Sequence, residues 1–221
     1  MSSLLPVVLG AASTPELSQR LSASGPEGLD DAEALQQASG ASPEQIRALL
    51  DEFGSLPQVL AASPAALCRF VRPAAASRLA LVRDLAQRLL RAPLRERPVL
   101  SSWSALIDYL RAGMAGRSRE RFHVLYLDKK NRLIRDEIEG EGTVDHAPVY
   151  PREILRRALE LDASALILAH NHPAGDPTPS VADIDMTRQV VEAARALRIS
   201  VHDHVVVGGE GVASFRALGL L

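Results

Sequence analysis

The residues best suited to chemistry lie in one run, His170-Asn171-His172-Pro173-Ala174-Gly175-Asp176-Pro177-Thr178-Pro179-Ser180-Val181-Ala182-Asp183. In an extended chain, residues two apart point to the same face, so His170 and His172 offer two imidazoles side by side if the strand persists through them. Ser180 is placed to cap a following helix, and Asp183, three residues on, lies over that helix's first turn. Two imidazoles and one carboxylate make a three-ligand set with an open fourth position, the way a catalytic rather than a structural zinc is held. Zinc so bound lowers the pKa of its water to about 7, and amide hydrolysis then needs a base to pass the water's proton to the leaving amine. An H-x-H pair alone is weak, because the chain has six histidines and a second such pair at His202 and His204. The Ser and Asp at fixed later positions make the pattern specific.

The elements that must position this run can be read around it. Ser164 to Ala169 is a short apolar run that predicts a buried strand, and Ser180 to Leu197 predicts a long helix. Upstream, Ser101 or Ser102 caps a helix carrying Trp103, Leu106, Ile107 and Leu110 that ends at Gly113 or Gly116. Arg121 to Leu127 alternates with both faces largely apolar, which places this strand centrally in its sheet. Asp128 to Asn131 is a hairpin turn and Leu133 to Ile138 the return strand. Gly140 to Thr143 reads as a flexible turn, Val144 to Val149 as a third short strand, and Pro151 opens a helix with Ile154, Leu155, Ala158 and Leu161 on one side. Ile199 to Val207 is a last major strand before the Gly208-Gly209 turn, and Val212 to Phe215 pairs back on it. This order describes an α/β domain over 101–221, a mixed sheet covered by helices.

Residues 1–92 read as a separate all-helical domain. The first 40 are rich in Ala, Ser, Gly and acid and are expected to be partly disordered, with one helix at Asp30 to Gln37. Ser42-Pro43 and Ser63-Pro64 are each an N-cap followed by Pro at the first helical position, and Gly54 closes the first of these helices. Helices are predicted near 43–53, 56–62, 64–70 and 74–91. Residues 93–100, with Pro93 and Pro98 and no periodicity, read as the linker.

Composition narrows the function classes. Apolar residues make up 47% of the 221, and the formal charge of −2 argues against a nucleic-acid binder acting through the whole chain. Charge is divided: residues 1–68 hold two Arg against eight acidic residues, and residues 69–97 hold eight Arg against two. That basic stretch can meet a phosphate backbone or pair with the acidic helices before it, and pairing needs no external partner. A single cysteine, Cys68, excludes a disulfide framework and a multi-cysteine zinc cluster, fits a reducing cytoplasm, and is expected to pack in the core. Leu4 to Ala12 has no Lys or Arg ahead of it and contains Pro6 and Gly10, unlike a signal peptide, and no apolar run reaches membrane-spanning length.

His170-x-His172, seven residues, Ser180, two residues, Asp183 resembles the JAMM motif of MPN-domain metallopeptidases. The surrounding HNHPAGDPTPS and the later Asp203-His204 resemble its RadC-type branch. The resemblance spans roughly residues 101–221. It implies one zinc per chain held by His170, His172 and Asp183, Ser180 positioning water or steadying an oxyanion, and a peptide or protein substrate. It also implies a Glu at the opening of the domain's first strand as general acid/base, and Glu120 stands there. From the residues alone, Glu137, Glu139 and Glu141 compete for that role, since the signature H-E-x-x-H that would supply a base inside the motif is absent. Asp176 reads as a turn residue with an alternative as support for an imidazole, and His202 and His204, on one strand face, as structural or supporting groups. His123 and His146 have no discernible partner. The resemblance further implies a helix-hairpin-helix-like N-terminal module, whose Gly-rich turn would hold DNA phosphate. Phe70 to Ala76 occupies that turn without a glycine, which argues against DNA as a partner, although the arginines keep it open.

Overall fold

In the computed structural model, which describes residues 14–142, 149–209 and 211–221, the chain divides after Val82 into two compact units. The first holds helices α1 (Thr14–Ser24), α2 (Asp31–Ser39), α3 (Pro43–Phe53), α4 (Leu56–Ala61) and α5 (Pro64–Leu67), and the start of α6 (Pro73–Glu96). Ser42 and Ser63 cap α3 and α5 as expected, and Asp30 adds a cap on α2. Asp30 with Glu33 and Ser42 with Gln45 form reciprocal boxes that satisfy the first free N–H groups of α2 and α3. Leu35, Ile46, Leu49, Val59, Leu67 and Leu79 make the core. Helix α1, which the sequence does not suggest, buries Leu17, and α2 carries Leu35 into the core; residues 1–13 lie outside the described part. Leu67 faces the core and Cys68 is exposed, the reverse of the expectation for the cysteine, because successive helical positions turn by about 100° and Leu67 takes the core side. From 70 to 76 no residue takes a positive φ. Arg69 pairs with Glu52 at 3.6 Å, and Arg78 donates to the Ser39 carbonyl.

The expected linker at 93–100 is corrected. Helix α6 runs on through Pro93 to Glu96, and Val99–Ser102 is a short 3-10 turn. Proline lacks one N–H and crowds the carbonyl four residues back, but Leu94, fully buried with Val99 and Leu106, holds the helix beyond it.

The second unit is a mixed α/β layer structure. Helix α7 (Trp103–Met114) leads into β1 (Arg121–Leu127) and β2 (Leu133–Glu141); α8 (Pro151–Glu160), β3 (Ala165–Asn171), α9 (Val181–Ala196), β4 (Ser200–Val207) and β5 (Val212–Ser214) follow. Strand order is β2-β1-β3-β4-β5, antiparallel except for β3 against β4. Strand β1 is interior, as its two apolar faces require. One face packs Leu125, Leu127, Ile167 and Val205 against Leu106, Leu110 and Met114 of α7. The other packs Phe122, Val124, Tyr126, Leu166 and Leu168 against Ile154 and Leu155 of α8 and Val190 and Ala194 of α9. Strand β2 extends to Glu141, so part of the expected turn at 140–143 is strand. The strand expected at 144–149 falls almost wholly outside the described residues. Among the described residues, no helix is long and apolar enough to cross a membrane.

Every residue of β3 is buried, so cavities there are felt in full. Leu168→Ala should cost about 2–5 kcal/mol, measured as a lower urea midpoint at unchanged slope.

Candidate metal centre

The site forms where β3 leaves the sheet. His170 and Asn171 close the strand, and His172 N–H still donates to the Val207 carbonyl at 3.0 Å, so pairing with β4 lasts one residue past β3. That extension keeps His170 and His172 on one side. Their Nε2 atoms lie 2.9 Å apart. Asp183 Oδ1 is 3.3 Å from His170 Nε2, and Oδ2 is 3.4 Å from His172 Nε2. One ligand atom from each of the three lies within 4.8 Å of the others.

The loop between the histidines and α9 is shaped by its own polar groups. Asp176 Oδ1 accepts from the N–H and hydroxyl of Thr178, an Asx turn. Its backbone carbonyl accepts from His172 Nδ1 at 2.8 Å. Both readings of Asp176 hold: the side chain makes the turn and the main chain orients the ring. A carbonyl only accepts, so His172 carries its proton on Nδ1 and, while neutral, turns the Nε2 lone pair to Asp183 and His170. Ser180 caps α9 in a reciprocal box: its Oγ accepts from Asp183 N–H, while its own N–H and hydroxyl donate to Asp183 Oδ2 at 2.8 and 2.6 Å. Burial works against ionisation of Asp183, but its contact with the His170 ring and the N–H and hydroxyl that Ser180 donates to it outweigh that. They hold the carboxyl well below the usual carboxylate range. Two ring nitrogens and a carboxylate converging at these distances fit a divalent cation that takes N and O ligands.

Behind the site lies a buried polar set. His170 Nδ1 is 2.8 Å from His204 Nε2, and His204 Nδ1 is 2.7 Å from Thr187 Oγ1. Phe122 stacks on His170 and Phe215 on His204. Burial, and next the charge of His170, pull the His204 pKa well below that of a free imidazole. His202 does not share its surroundings, contrary to the expected common face. The register with β3 slips by one residue between Val201 and Asp203, and His202 bonds to Asn131 at 2.8 Å.

Asn171, between the two histidines, reaches across to β1. Its Oδ1 accepts from Arg121 N–H at 3.0 Å and its Nδ2 donates to the Arg119 carbonyl at 3.1 Å. These bonds flank Glu120, which is buried just ahead of β1 with its carbonyl accepting from Gly142 N–H. The competing acids sit on β2, separated from β3 by β1. Glu137 takes both arms of the Arg157 guanidinium, Glu139 accepts from Tyr126 and Glu141 pairs with Arg121. His123 has a partner after all, Asp136 at 2.9 Å; His146 lies outside the described residues. Sequence reasoning missed Asn171 and Thr187. Their only signal is polarity at positions that strand and helix patterns make buried, and both are.

A family model described as RadC-like JAB domain matches residues 100–220. A relative from Rhodobacter capsulatus, known as a UPF0758 protein, is 54% identical over 213 residues, which is 93% of this chain and all of that protein.

Two predictions follow from the packing and the charge. A Cβ built on Gly208 would collide with the Gly175 carbonyl and stand within 3 Å of Pro177, whereas one on Gly211 meets only Pro177 Cγ at 4.0 Å. Gly208→Ala should therefore lower unfolding free energy by about 1–3 kcal/mol, and Gly211→Ala should stay within about 0.5 kcal/mol, both read by urea denaturation. Folded His204 stays neutral where the unfolded ring titrates near pH 6.5, so below that pH the unfolded chain binds an extra proton. The stability contribution is full above about pH 6.5 and falls below it by up to about 1.4 kcal/mol per pH unit. Denaturation of the metal-free protein across that range, with His204→Asn losing this share of the slope, checks it.

Proposed function

The chain belongs to the RadC-like JAB domain family, and from that premise we propose that it is a zinc-dependent peptidase or isopeptidase that hydrolyses an amide bond. The observation that carries the reading is the convergence of His170 Nε2, His172 Nε2 and the Asp183 carboxylate. These three side chains would hold the ion and leave one position open. When bound, zinc supplies a Lewis acid whose water ionises near neutral pH.

The remaining work falls to the chain's own groups. Glu120 takes the proton of the attacking water and returns it to the leaving amine. Its support is placement. The Asn171 clamp ties the backbone on both sides of Glu120 to the end of the strand that carries His170, whereas the acids on β2 are separated from that strand by β1. Ser180 keeps Asp183 turned to the centre. For the hydroxyl to steady an oxyanion as well, it must rotate away from Asp183 Oδ2. The substrate is a peptide or protein amide.

Metal analysis and hydrolysis of model peptide and isopeptide substrates test the proposal. Wild type should carry about one zinc per chain, and His172→Ala should lose it. Glu120→Gln should keep the metal while hydrolysis falls by about 10²- to 10⁴-fold. Wild-type protein without stoichiometric metal would end the reading, and an active Glu120→Gln would remove Glu120 from it.

A further inference from the structure

The buried set behind His170 ends in a hydroxyl whose single proton selects which nitrogens of the set bear protons. Thr187, on the inner face of α9, sits one helical turn past Asp183. Its Oγ1 donates to the Asp183 carbonyl at 2.6 Å and lies 2.7 Å from His204 Nδ1. A hydroxyl has one proton, and a carbonyl accepts only. With that proton on the Asp183 carbonyl, Thr187 can only accept from His204, which must carry Nδ1–H. A neutral imidazole has one N–H, so His204 Nε2 is a lone pair and accepts from His170 Nδ1–H across 2.8 Å. His170 Nε2 is then the lone pair that faces His172 and Asp183.

Run in the opposite sense, with the hydroxyl proton on His204, the same contacts would put an N–H on His170 Nε2 and close it to a cation. The two imidazoles follow by tautomer, and the Thr187 hydroxyl, at the end of the set, is where the sense is chosen. We propose that Thr187 is a positioning residue for the metal centre: through His204 it sets the tautomer in which His170 Nε2 can ligate. The inference rests on the metal-centre reading above. It adds that the helix bearing the carboxylate ligand also sets the protonation of an imidazole ligand, through its own carbonyl and a threonine. Metal-bound histidines ordinarily donate their second N–H to a carbonyl, carboxylate or water; here the acceptor is a second imidazole, which passes the demand on.

Thr187→Val keeps the shape and removes the hydroxyl. His204 Nδ1–H would then be a buried donor with nothing to accept it, a costlier state than a bare lone pair, so His204 is expected to move its proton to Nε2. Thr187→Ser keeps the hydroxyl and serves as the rescue. Zinc affinity is read by competition with a chromophoric chelator, and tautomers by ¹⁵N NMR of histidine-labelled protein, with and without zinc. Wild type and Thr187→Ser should show Nδ1–H on His204 and bind zinc alike; Thr187→Val should show Nε2–H on His204 and bind about 10- to 100-fold more weakly. Nε2–H on His204 in wild type would overturn the inference, as would Thr187→Val that binds zinc normally or binds it weakly with the His204 tautomer unchanged. Wild type that takes up no zinc would end the functional reading alone, since the His204 tautomer in metal-free wild type and Thr187→Val still decides for or against Thr187.

Discussion

Two imidazole nitrogens 2.9 Å apart cannot both present lone pairs to each other unless a cation or a proton lies between them. Much of the second unit serves to bring about that approach. The buried strand β3 carries His170, one further hydrogen bond to β4 keeps His172 extended, and the Asp176 carbonyl turns the His172 ring. The Ser180 box brings Asp183 to the same point from the start of α9. Gly208 matters for the same reason: the loop that supplies the Asp176 carbonyl lies so close to the end of β4 that no side chain fits there.

The parts of this arrangement legible in the sequence are those governed by short spacing. A histidine pair at period two after an apolar run, and Ser-x-x-Asp at a helix start, describe local geometry that any fold would respect. Strand β1 could be placed inside the sheet because both its faces are apolar, and α3 could be bounded to the residue by Ser42, Pro43 and Gly54. What escaped depends on distance or on a broken pattern. Asn171 meets Arg119 and Arg121 some fifty residues away, and no local signal marks that contact. His202 and His204 look like face-mates until the register slips between them. Pro93 looks like a helix end until Leu94 is found in a core. Cys68 looks internal beside apolar neighbours, but Leu67 takes the core side of that turn and Cys68 faces away.

The polar groups around the site share a logic. Asn171 satisfies one backbone donor and one backbone acceptor, the Asp176 carbonyl takes the His172 proton, and Thr187 reaches the Asp183 carbonyl. Main-chain groups cannot titrate, so they make fixed end points for side chains whose protons must be in known places. Such networks are costly when half satisfied and specific when complete, which explains why polar residues tolerate this depth beside Phe122 and Phe215.

The central claim is that His170, His172 and Asp183 form one zinc site with an open position. X-ray absorption at the zinc edge of loaded protein tests it most directly. The account predicts a four-coordinate ion with two imidazole nitrogens at about 2.0–2.1 Å and oxygen ligands at about 2.0–2.2 Å. A shell with three or more imidazoles, which would draw His204 out of its buried place, or a shell with none, would contradict it.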